Sequence, residues 1–430
     1  MHHFDYRDGV LHAEDVSLER LAAEVGTPAY VYSAATLERH GRLFLDALRR
    51  AHPRSRAFYA LKANGSLGVV RTLSRLGYGA DVVSEGEIRR ALAAGVEPGE
   101  IVFSGVGKTR DEIAFAVKAG LYQLNVETPD ELDDVSRVAS SLGARQDVAI
   151  RVNPDVGAGG HAKITTGSDD NKFGVSLADA AALYARGANL PGVRMAGLAV
   201  HIGSQITELD ALGDAFAKLR ALALALRAEG HDVERIDCGG GLGIPYDVPR
   251  PFAHGPDLIE AYAELVRRAF GDLEVELGFE PGRLLVGNAG VLLARAVRLN
   301  PRPQKTFLVL DAAMNDLVRP AMYEAFHEIW PVREPGPDAA LRPYDVVGPV
   351  CESGDTFATG RRLPEIRPGD LVAFMTAGAY GATMASTYNQ RRLVPEVLVR
   401  GSDYALTRPR QTFEELIGAE RLPAWLAEPA

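Results

Sequence analysis

Eight short apolar runs recur between about residues 57 and 282, and segments with a helical pattern separate them. The runs are rich in β-branched and apolar residues and have few interior charges, which is typical of strands buried on both faces of a parallel sheet. They are AFYAL at 57, ADVV at 80, IVFSG at 101, YQLNV at 122, VAIRV at 148, MAGLAVHIG at 195, RIDCGG at 235 and VELGFEPG at 275. Eight strand–helix units of this size predict an α/β fold built on a (β/α)8 barrel.

An open, doubly wound sheet is the competing architecture, and it would concentrate its ligand groups at one switch point. Polar candidate residues instead follow many different strands, as they do in barrels, whose active sites collect side chains from several strand ends. Between the strands, residues 214–229 are rich in Ala and Leu and end at Gly230, which predicts a helix. Thr109 and Glu112 have the spacing of a helix capping box.

The residue pattern of the sequence changes after about residue 285, where short β-rich runs alternate with Pro and Gly turns. The runs LLARAV, TFLVLD, DLVAFM and EVLVR predict a second, β-rich domain of the barrel or sandwich type. AYVYS at 29–33 is a further strand-like run, lying ahead of the first predicted helix, that could pair with that later sheet. We therefore predict a barrel of residues 35–284 and a β domain formed by residues 1–34 and 285–430.

Charge and cysteine content restrict the class of protein. The 430 residues carry a formal charge of −10, which argues against a nucleic-acid surface because such a surface needs clustered Lys and Arg. Cys238 and Cys351 are too few for a disulfide framework and fit no zinc spacing, so we predict no metal site and a cytoplasmic location. The N-terminal residues do not resemble a secretory signal, and no run is long enough to predict a membrane span.

Lys62, in FYALKANGS, is the sharpest local signal for chemistry. It falls where a buried strand ends, so it would project at the mouth of the barrel. A partly desolvated lysine in that position can lose its proton and form a Schiff base. By itself, however, a lysine at a strand end is far more often a solvated surface residue.

Three glycine-containing elements follow strands and could hold a phosphate: HIGSQ at 201–205, CGGGLG at 238–243 and EPGR at 280–283. Glycines let backbone amides approach a phosphate closely, and a helix N-terminus adds a favourable field. GGGLG is not a dinucleotide fingerprint, because Ile244 stands where the third glycine is needed. GVGKT at 105–109 is not a nucleotide phosphate loop, because Val102 replaces its first glycine.

A series of ordered motifs gives the chain a specific resemblance. It resembles the diaminopimelate decarboxylases, which belong to the alanine racemase and ornithine decarboxylase superfamily of pyridoxal-phosphate enzymes. The motifs are YALKAN, ADVVSEGEI, FSGVGKT, RVNPDVGAGGHAKITTG with NKFG, HIGSQI, GGGLGIPY, EPGR, MNDLVRP with MYEAFHEI, GPVCESGDTFA and GAYGATMASTYNQR. The resemblance implies a barrel with a β domain, pyridoxal 5'-phosphate as cofactor, and a homodimer whose active sites lie between subunits.

The resemblance also implies site residues. Lys62 resembles the lysine that binds the cofactor, and His201 resembles the imidazole that stacks on the pyridine ring. Residues that resemble contacts to the cofactor, most of them to its phosphate, are Asp81, Arg151, Ser204, Gly240, Gly241, Gly282, Arg283 and Tyr380. A histidine buried for structural reasons is the alternative for His201, and its place in HIGSQ at a strand end favours the functional role.

Glu280 resembles the carboxylate that pairs with the pyridine nitrogen. An opposite charge in a low-dielectric site stabilises the pyridinium, which is the better electron sink for the carbanion that decarboxylation leaves. Racemases of this fold place an arginine there, so Glu280 favours a decarboxylase over a racemase; a structural salt bridge is the alternative. Cys351 and Glu352 resemble residues that reach the partner subunit's active site, where the Cys351 thiol is suited to donate a proton.

Substrate choice depends on groups aimed at the distal end of the substrate. Diaminopimelate ends in an amine and a carboxylate, which calls for an acidic residue and an arginine. Glu352 and Arg319 meet these demands, with Tyr323 as a neighbour, while Arg283 and Tyr380 are further candidates. We therefore expect decarboxylation of meso-diaminopimelate to L-lysine; the alternatives are a decarboxylase of another basic amino acid or of carboxynorspermidine, and a non-enzymatic homologue.

Overall fold

The computed structural model describes residues 2–157, 172–246 and 255–426. Part of the motif RVNPDVGAGGHAKITTG, from residue 158 on, and Asn171 of NKFG lie outside the described residues. The chain divides into two compact units. The first is built from Ala34–Ala289, and the second combines His3–Ser33 with Gly290–Ala430.

The first unit is a closed barrel of eight parallel strands. Each strand pairs with the next along the chain, and the last strand pairs with the first, which closes the sheet. The barrel prediction is therefore confirmed, since an open sheet would leave two edges. The strands are Ser55–Ala60, Gly79–Val82, Ile101–Phe103, Gln123–Val126, Gln146–Asn153, Val193–Val200, Arg235–Asp237 and Glu276–Phe279, with a short extra strand, Val175–Ser176, beside the fifth.

Helices follow the barrel strands and begin at polar caps. The predicted capping box is present, because Thr109 accepts from the backbone of Glu112 and the Glu112 side chain accepts from Thr109. The long Ala- and Leu-rich helix begins at Asp210, four residues before its predicted start at Asp214. The helices are Ala34–Ala51, Leu67–Ser74, Glu85–Ala93, Arg110–Ala119, Pro129–Ser141, Leu177–Ala188, Asp210–Ala228, Gly255–Phe270 and Arg283–Val286, and the 3-10 turns are Leu61–Ala63, Pro98–Glu100 and Gly287–Ala289.

The second unit is rich in β-strands. Its central strand, Gly290–Pro301, pairs antiparallel with three neighbours. The strands are Phe4–Arg7, Val10–Ala13, Val16–Ser17, Ala29–Ser33, Gly290–Pro301, Thr306–Leu310, Ile329–Pro331, Arg342–Val347, Thr356–Leu363, Leu371–Phe374, Glu396–Arg400 and Asp403–Arg408. The helices are Leu18–Glu24, Arg319–Tyr323 and Phe413–Ile417, and the 3-10 turns are Ala382–Met384, Tyr388–Gln390 and Ala424–Leu426.

The N-terminal strand Ala29–Ser33 pairs with this later sheet, as the sequence predicts, and it lies between two of its strands. It pairs antiparallel with Gly290–Pro301 and parallel with Glu396–Arg400, and all five of its residues are buried. The expectation that this strand precedes the first helix is wrong, because helix Leu18–Glu24 comes before it. That helix forms because Ser17 caps its first turn and its apolar residues are buried in the core of the unit.

The limits of the two units differ slightly from the domain boundaries predicted after residues 34 and 284, which remain predictions. In the structure the first unit extends to Ala289. The short helix Arg283–Val286 belongs to it because the carbonyl of Leu285 hydrogen-bonds Nδ1 of His40, on helix Ala34–Ala51, at 3.1 Å. None of the described helices is long and apolar enough to cross a lipid bilayer.

Candidate active site

Lys62 and Asp81 form an ion pair at the carboxyl ends of the barrel strands. Lys62 lies in the turn after the first strand, and its Nζ is 2.9 Å from Oδ2 of Asp81, near the end of the second strand. Asp81 is fully buried, whereas the Lys62 side chain is 35% exposed, so the amine can be reached from solvent. The other oxygen of Asp81, Oδ1, is buried and has no hydrogen-bond partner among the described residues.

A cavity of about 420 Å³ opens beside this ion pair. Its volume is in the range of sites for small molecules and cofactors. The structure brings four of the predicted site residues, Lys62, Arg151, His201 and Glu280, together in its wall. Other lining residues include Val83, Ser104, Gly105, Asn125, Phe173 and Val200.

His201 follows the sixth strand and is held as a neutral ring. Burial, followed by the positive charges of Arg151 and Lys62, lowers its pKa well below the usual range. The backbone N–H of Gly240 donates to its Nδ1 at 3.2 Å, so that nitrogen carries no proton. A neutral imidazole with a fixed acceptor is suited to stacking on an aromatic ring.

Glu280 follows the eighth strand and lies in a buried polar cluster with Asp237 and Asn125. Nδ2 of Asn125 is 3.2 Å from Oδ2 of Asp237 and 3.4 Å from Oε1 of Glu280. Burial, followed by the carboxylates of Asp237 and Asp81, raises the pKa of Glu280 well above its usual range. Burial also raises the pKa of Asp237. Sequence reasoning missed Asp237 and Asn125, although both are polar residues within the short buried strands RID and QLNV.

Glu127 is a second functional candidate that sequence reasoning missed. Its carboxylate accepts from Nη1 of Arg151 at 3.0 Å and from the backbone N–H groups of Gly105 and Gly174, at 3.0 and 3.1 Å. Arg151 also packs on the ring of Phe173, 4.8 Å from its centroid. The sequence signal that could have identified Glu127 is its position as an acidic residue directly after the fourth strand. Its effect is to fix Arg151 in the cavity wall.

The three glycine-rich elements pack against one another at the same end of the barrel. A Cβ on Gly240 would lie 2.1 Å from the carbonyl oxygen of Glu280, and one on Gly241 would lie 2.3 Å from that of Gly203. Gly241 also has a φ of +110°, which favours glycine. Gly240 and Gly241 therefore allow these backbone segments to approach closely, which a residue with a Cβ atom would prevent.

Arg283 adds a cation to these elements. Its Nη2 donates to Oγ of Ser204 at 3.0 Å, and its Nη1 donates to the Tyr246 hydroxyl at 2.6 Å. Gly282, the residue before it, precedes the short helix Arg283–Val286. Backbone amides, a serine hydroxyl and a guanidinium are therefore gathered at one place, which is the donor set that binds a phosphate.

Lys108 of GVGKT has a structural role. Its Nζ donates to the carbonyls of Gly105 and Asn125, both at 2.7 Å, and pairs with Glu131 at 2.6 Å. The side chain is 1% exposed. Through these three hydrogen bonds, Lys108 links the loop after the third strand to the fourth strand and to the helix that follows it. This structural role agrees with the rejection of a phosphate loop here.

The remaining predicted residues lie in the second unit. Arg319 and Tyr323 begin and end the short helix Arg319–Tyr323, and Nη1 of the buried Arg319 is 2.8 Å from Nε2 of the buried His327. Tyr380 has a φ of +55°, an uncommon backbone conformation for a side chain of that size.

Cys351 and Glu352 lie on an exposed loop of the second unit. The backbone N–H of Cys351 donates to Oδ1 of Asn389 at 3.1 Å, so the last motif of the chain helps to hold this loop. Asn389 has a φ of +55°, which asparagine tolerates better than most residues. The Cys351 thiol is thus held on a defined loop and accessible within one chain.

Comparison with known proteins identifies the family. The model of the pyridoxal-dependent decarboxylases, pyridoxal binding domain, matches residues 35–287. The diaminopimelate decarboxylase of Zymomonas mobilis is 46% identical over 424 residues, which cover 98% of this chain and 99% of that protein. The chain belongs to the diaminopimelate decarboxylase family.

Solved structures of the diaminopimelate decarboxylase family have the same fold. The enzyme from Helicobacter pylori, complexed with L-lysine, has a TM-score of 0.88 at 36% identity, covering 94% of this chain and 99% of that one. The enzyme from M. jannaschii, in co-complex with L-lysine, has a TM-score of 0.92 at 34% identity and covers 99% of both chains. The likeness therefore extends over both units of the chain.

The residues of the first unit fit the pyridoxal phosphate that this family binds. The cavity contains an accessible lysine amine, the neutral ring of His201 and the acid Glu280. The glycine-rich elements with Ser204 and Arg283 supply donors for a phosphate, and Oδ1 of Asp81 is an acceptor without a partner among the described residues. A lysine, an aromatic stacking partner, an acid and a phosphate cradle are the groups this cofactor requires.

Proposed function

We propose that the chain catalyses the decarboxylation of meso-2,6-diaminopimelate to L-lysine and carbon dioxide, the last step of lysine biosynthesis. The observation that carries this proposal is the Lys62 amine beside a buried carboxylate, at the wall of a cofactor-sized cavity. Membership of the diaminopimelate decarboxylase family supports the choice of substrate. The lysine in the Helicobacter pylori complex is the product that the proposed reaction releases.

The first unit supplies the groups that hold the cofactor. Lys62 is the attachment point, and its ion pair with Asp81 holds the amine at the cavity wall. With the cofactor bound, His201 would stack on its ring and Glu280 would face its ring nitrogen. When bound, the cofactor supplies an electron sink for the carbanion that loss of the carboxylate leaves.

The phosphate takes its contacts from the glycine-rich elements. The backbone amides of Gly240, Gly241 and Gly282 would approach it closely, and the Ser204 hydroxyl and the Arg283 guanidinium would donate to it. Their close packing supports this assignment. Arg151, which Glu127 holds in the cavity wall, and Tyr380 complete the proposed set of cofactor contacts.

The second unit supplies substrate recognition. Arg319 grips the distal carboxylate, Glu352 binds the distal amine, and Tyr323 and Tyr380 donate hydrogen bonds, with Arg283 as a further candidate. The burial of Arg319 and its contact with His327 support this role, because a guanidinium held in place loses little entropy on binding. Cys351 would supply the proton that takes the place of the lost carboxylate.

The active enzyme is a homodimer in the cytoplasm, with Cys351 and Glu352 contributed to the partner subunit's site. Their exposure within a single chain supports this arrangement, because a residue that serves another subunit must be reachable from outside its own. A two-fold symmetric dimer would present the same loop to both sites.

The test is an assay of the purified protein with meso-diaminopimelate, lysine, ornithine and carboxynorspermidine as separate substrates. We expect release of carbon dioxide from diaminopimelate at a kcat/KM far above that for the others. A preference for another amine would replace the proposed substrate, and release from none would support a non-enzymatic homologue.

Borohydride reduction of the same sample, followed by peptide mapping, tests the attachment point. We expect the cofactor on the peptide that contains Lys62 and on no other, and none in Lys62→Ala. A label at a different lysine would show that the assignment of Lys62 is wrong.

A further inference from the structure

We propose that Asp237 is a positioning residue for Glu280. The two buried carboxyl groups form an acid pair that holds one proton, and Asn125 fixes the pair in the barrel. The pair presents this proton on Glu280 to the ring nitrogen of the cofactor. The inference rests on the proposed function, because it takes Glu280 as the residue that faces that nitrogen.

The fourth strand, Gln123–Val126, provides the support for the pair. Side chains alternate along a strand, so Gln123 and Asn125 share one face of the sheet. Asn125 hydrogen-bonds Asp237 on the seventh strand and Glu280 after the eighth strand. Because those strands lie across the barrel, the shared face is the interior one. Both amides are 2% exposed, so water does not compete for them.

Gln123 sets the direction of the Asn125 amide. Its Nε2 donates to Oδ1 of Asn125 at 2.8 Å, which leaves the Nδ2 group of Asn125 to face the acids. Nδ2 is then within 3.2 Å of Oδ2 of Asp237, 3.1 Å of Oγ of Ser104 and 3.4 Å of Oε1 of Glu280. One amide therefore donates into a site that contains two carboxyl groups.

Asp237 receives shorter hydrogen bonds from protein donors than Glu280 does. Its Oδ1 accepts from the backbone N–H of Gly239 at 2.9 Å, and its Oδ2 accepts from Asn125. Among the described residues, the bonds that Glu280 accepts are longer, at 3.4 Å from Ser104 and from Asn125. Hydrogen bonds to the charged form favour ionisation, so the negative charge belongs on Asp237 and the proton on Glu280.

The pair has no cation of its own. Within residues 2–157, 172–246 and 255–426, no Lys, Arg or His forms an ion pair with Asp237 or Glu280. The two cations whose charges act on Glu280 are each paired elsewhere, Lys62 with Asp81 and Arg151 with Glu127. Two carboxylates this deeply buried cannot both ionise at moderate cost. The raised pKa of both groups agrees with this argument.

Other titratable groups surround the pair and bear on its proton. Asp81 adds a further negative charge, and the cations Lys62 and Arg151 oppose it. Three further buried groups near the pair are neutral. Burial lowers the pKa of His201, and it raises the pKa of Cys238 and of Tyr262. None of the three adds a charge that would remove the need for a proton on the pair.

In this acid pair, Glu280 has one role before the proton moves and another role afterwards. Before, Glu280 holds the proton on its own carboxyl group inside a dry site. If the proton passed to the ring nitrogen of a bound cofactor, one O–H bond would break and one N–H bond would form, and Glu280 would become a carboxylate. Asp237 then adds a second negative charge near the positive ring, which stabilises it further.

Infrared difference spectroscopy on the full-length protein, freed of cofactor, tests the acid pair directly. The carbonyl stretch of a protonated carboxylic acid is distinct from that of a carboxylate. We expect one such band at mildly alkaline pH, lost in Glu280→Gln. In Asp237→Asn we expect it to titrate about 1 to 3 pH units lower, because a like charge has been removed. Absence of the band, or an unchanged titration in Asp237→Asn, would overturn the proposal.

Asp316→Asn is the matched control. Asp316 is a buried aspartate of the second unit whose pKa burial raises to about 6, so it is ionised at mildly alkaline pH. Its loss should leave the band unchanged, and a change would assign the band elsewhere and overturn the proposal. If Asp237→Asn does not fold, Asn125→Leu replaces it. Loss of the amide donor should move the titration to higher pH, and no movement would count against the pair.

Addition of pyridoxal phosphate tests the transfer of the proton. We expect the band to disappear when the cofactor binds, and its persistence would overturn the transfer. The result is separable from the proposed function. If the band and its shifts appeared in a protein that decarboxylates nothing, the acid pair would be supported and the proposed function refuted. If the protein decarboxylated its substrate but showed no band, the acid pair would be refuted and the function supported.

Discussion

At the scale of single residues, Arg319 shows how a side chain is prepared for a ligand. Nδ1 of His327 donates to the carbonyl of Met375 at 2.9 Å, so its Nε2 carries no proton and accepts from the Arg319 guanidinium at 2.8 Å. This hydrogen bond sets the tautomer of His327 and the direction of Arg319 together. A cation held in this way is suited to a carboxylate.

We predict that Arg319→Ala raises the KM for diaminopimelate and leaves bound cofactor unchanged. The rise should be about 10- to 100-fold, because a hydrogen bond to a charged group contributes roughly 1.5–3 kcal/mol. Steady-state kinetics together with the cofactor absorbance measure both quantities. Arg319→Lys is the control, since it keeps the charge but loses the planar fork, and it should recover only part of the affinity. An unchanged KM in Arg319→Ala would show that the distal carboxylate binds elsewhere.

The sequence suggests some of the site residues and hides others for a physical reason. Lys62 and Glu280 could be chosen because each follows a buried apolar run, where barrels place their side chains. Glu127 also follows such a run, but its role, like those of Asn125 and His327, depends on partners that the sequence does not place beside it. Glu127 contacts Arg151, 24 positions away, and Asn125 contacts Glu280, 155 positions away. Spacing along the chain contains no trace of such pairs.

At the scale of elements, the period of the sequence predicts most of the fold. All eight runs overlap a barrel strand, because apolar β-branched residues buried on both faces leave a continuous signal. Short elements were harder to predict. Strand Val16–Ser17 has two residues and helix Leu18–Glu24 has seven, so neither completes a recognisable period, and tertiary packing decides their structure.

Asp355 links two elements of the second unit. Its Oδ1 accepts from the backbone N–H of Met314 and its Oδ2 from that of Val350, both at 2.7 Å. Met314 lies in the segment that leads to helix Arg319–Tyr323, and Val350 precedes Cys351. The buried carboxylate thus holds together the two segments that bear the proposed substrate and proton-donor groups.

We predict that Asp355→Asn destabilises the second unit by about 1–3 kcal/mol, because an amide has one acceptor oxygen and its NH2 group would face a backbone N–H. We also expect kcat/KM to fall roughly 10- to 100-fold, since both segments shift. Denaturant unfolding and kinetics measure the two effects.

Asp345→Asn is the matched control for Asp355. Asp345 is also buried and accepts from Lys305 at 2.7 Å and from the backbone of Gly360 at 2.8 Å, within neighbouring strands. Its substitution should cost stability without a comparable loss of kcat/KM. Equal losses of activity in the two variants would show that Asp355 acts on stability alone.

At the scale of the whole molecule, the chain builds its second unit from both ends. The N-terminal strand Ala29–Ser33 lies between strands Gly290–Pro301 and Glu396–Arg400, so the barrel is inserted within the sequence of the β-rich unit. The apolar run AYVYS predicts this strand, whereas its register depends on residues more than 250 positions later. The β-rich unit can therefore be complete only after the last strands have been synthesised.

The exposed position of Cys351 leads to a prediction about assembly. If each active site combines Lys62 of one subunit with Cys351 of the other, mixing the inactive variants Lys62→Ala and Cys351→Ala should restore activity. Random exchange makes half of the dimers mixed, and one of the two sites in each has both groups, so about one quarter of wild-type activity should return. Subunit exchange followed by a carbon dioxide assay measures it.

The pair Lys62→Ala and Glu280→Gln is the control for this exchange, because both residues lie in the same unit and line one cavity. Mixing these two variants leaves no site with both groups under either arrangement, so no activity should return. If Lys62→Ala and Cys351→Ala also failed to recover while mixed dimers were present, each site would take both groups from one chain. The exposed Cys351 loop would then have to reach the cavity of its own subunit, and the dimer would not be a condition of catalysis.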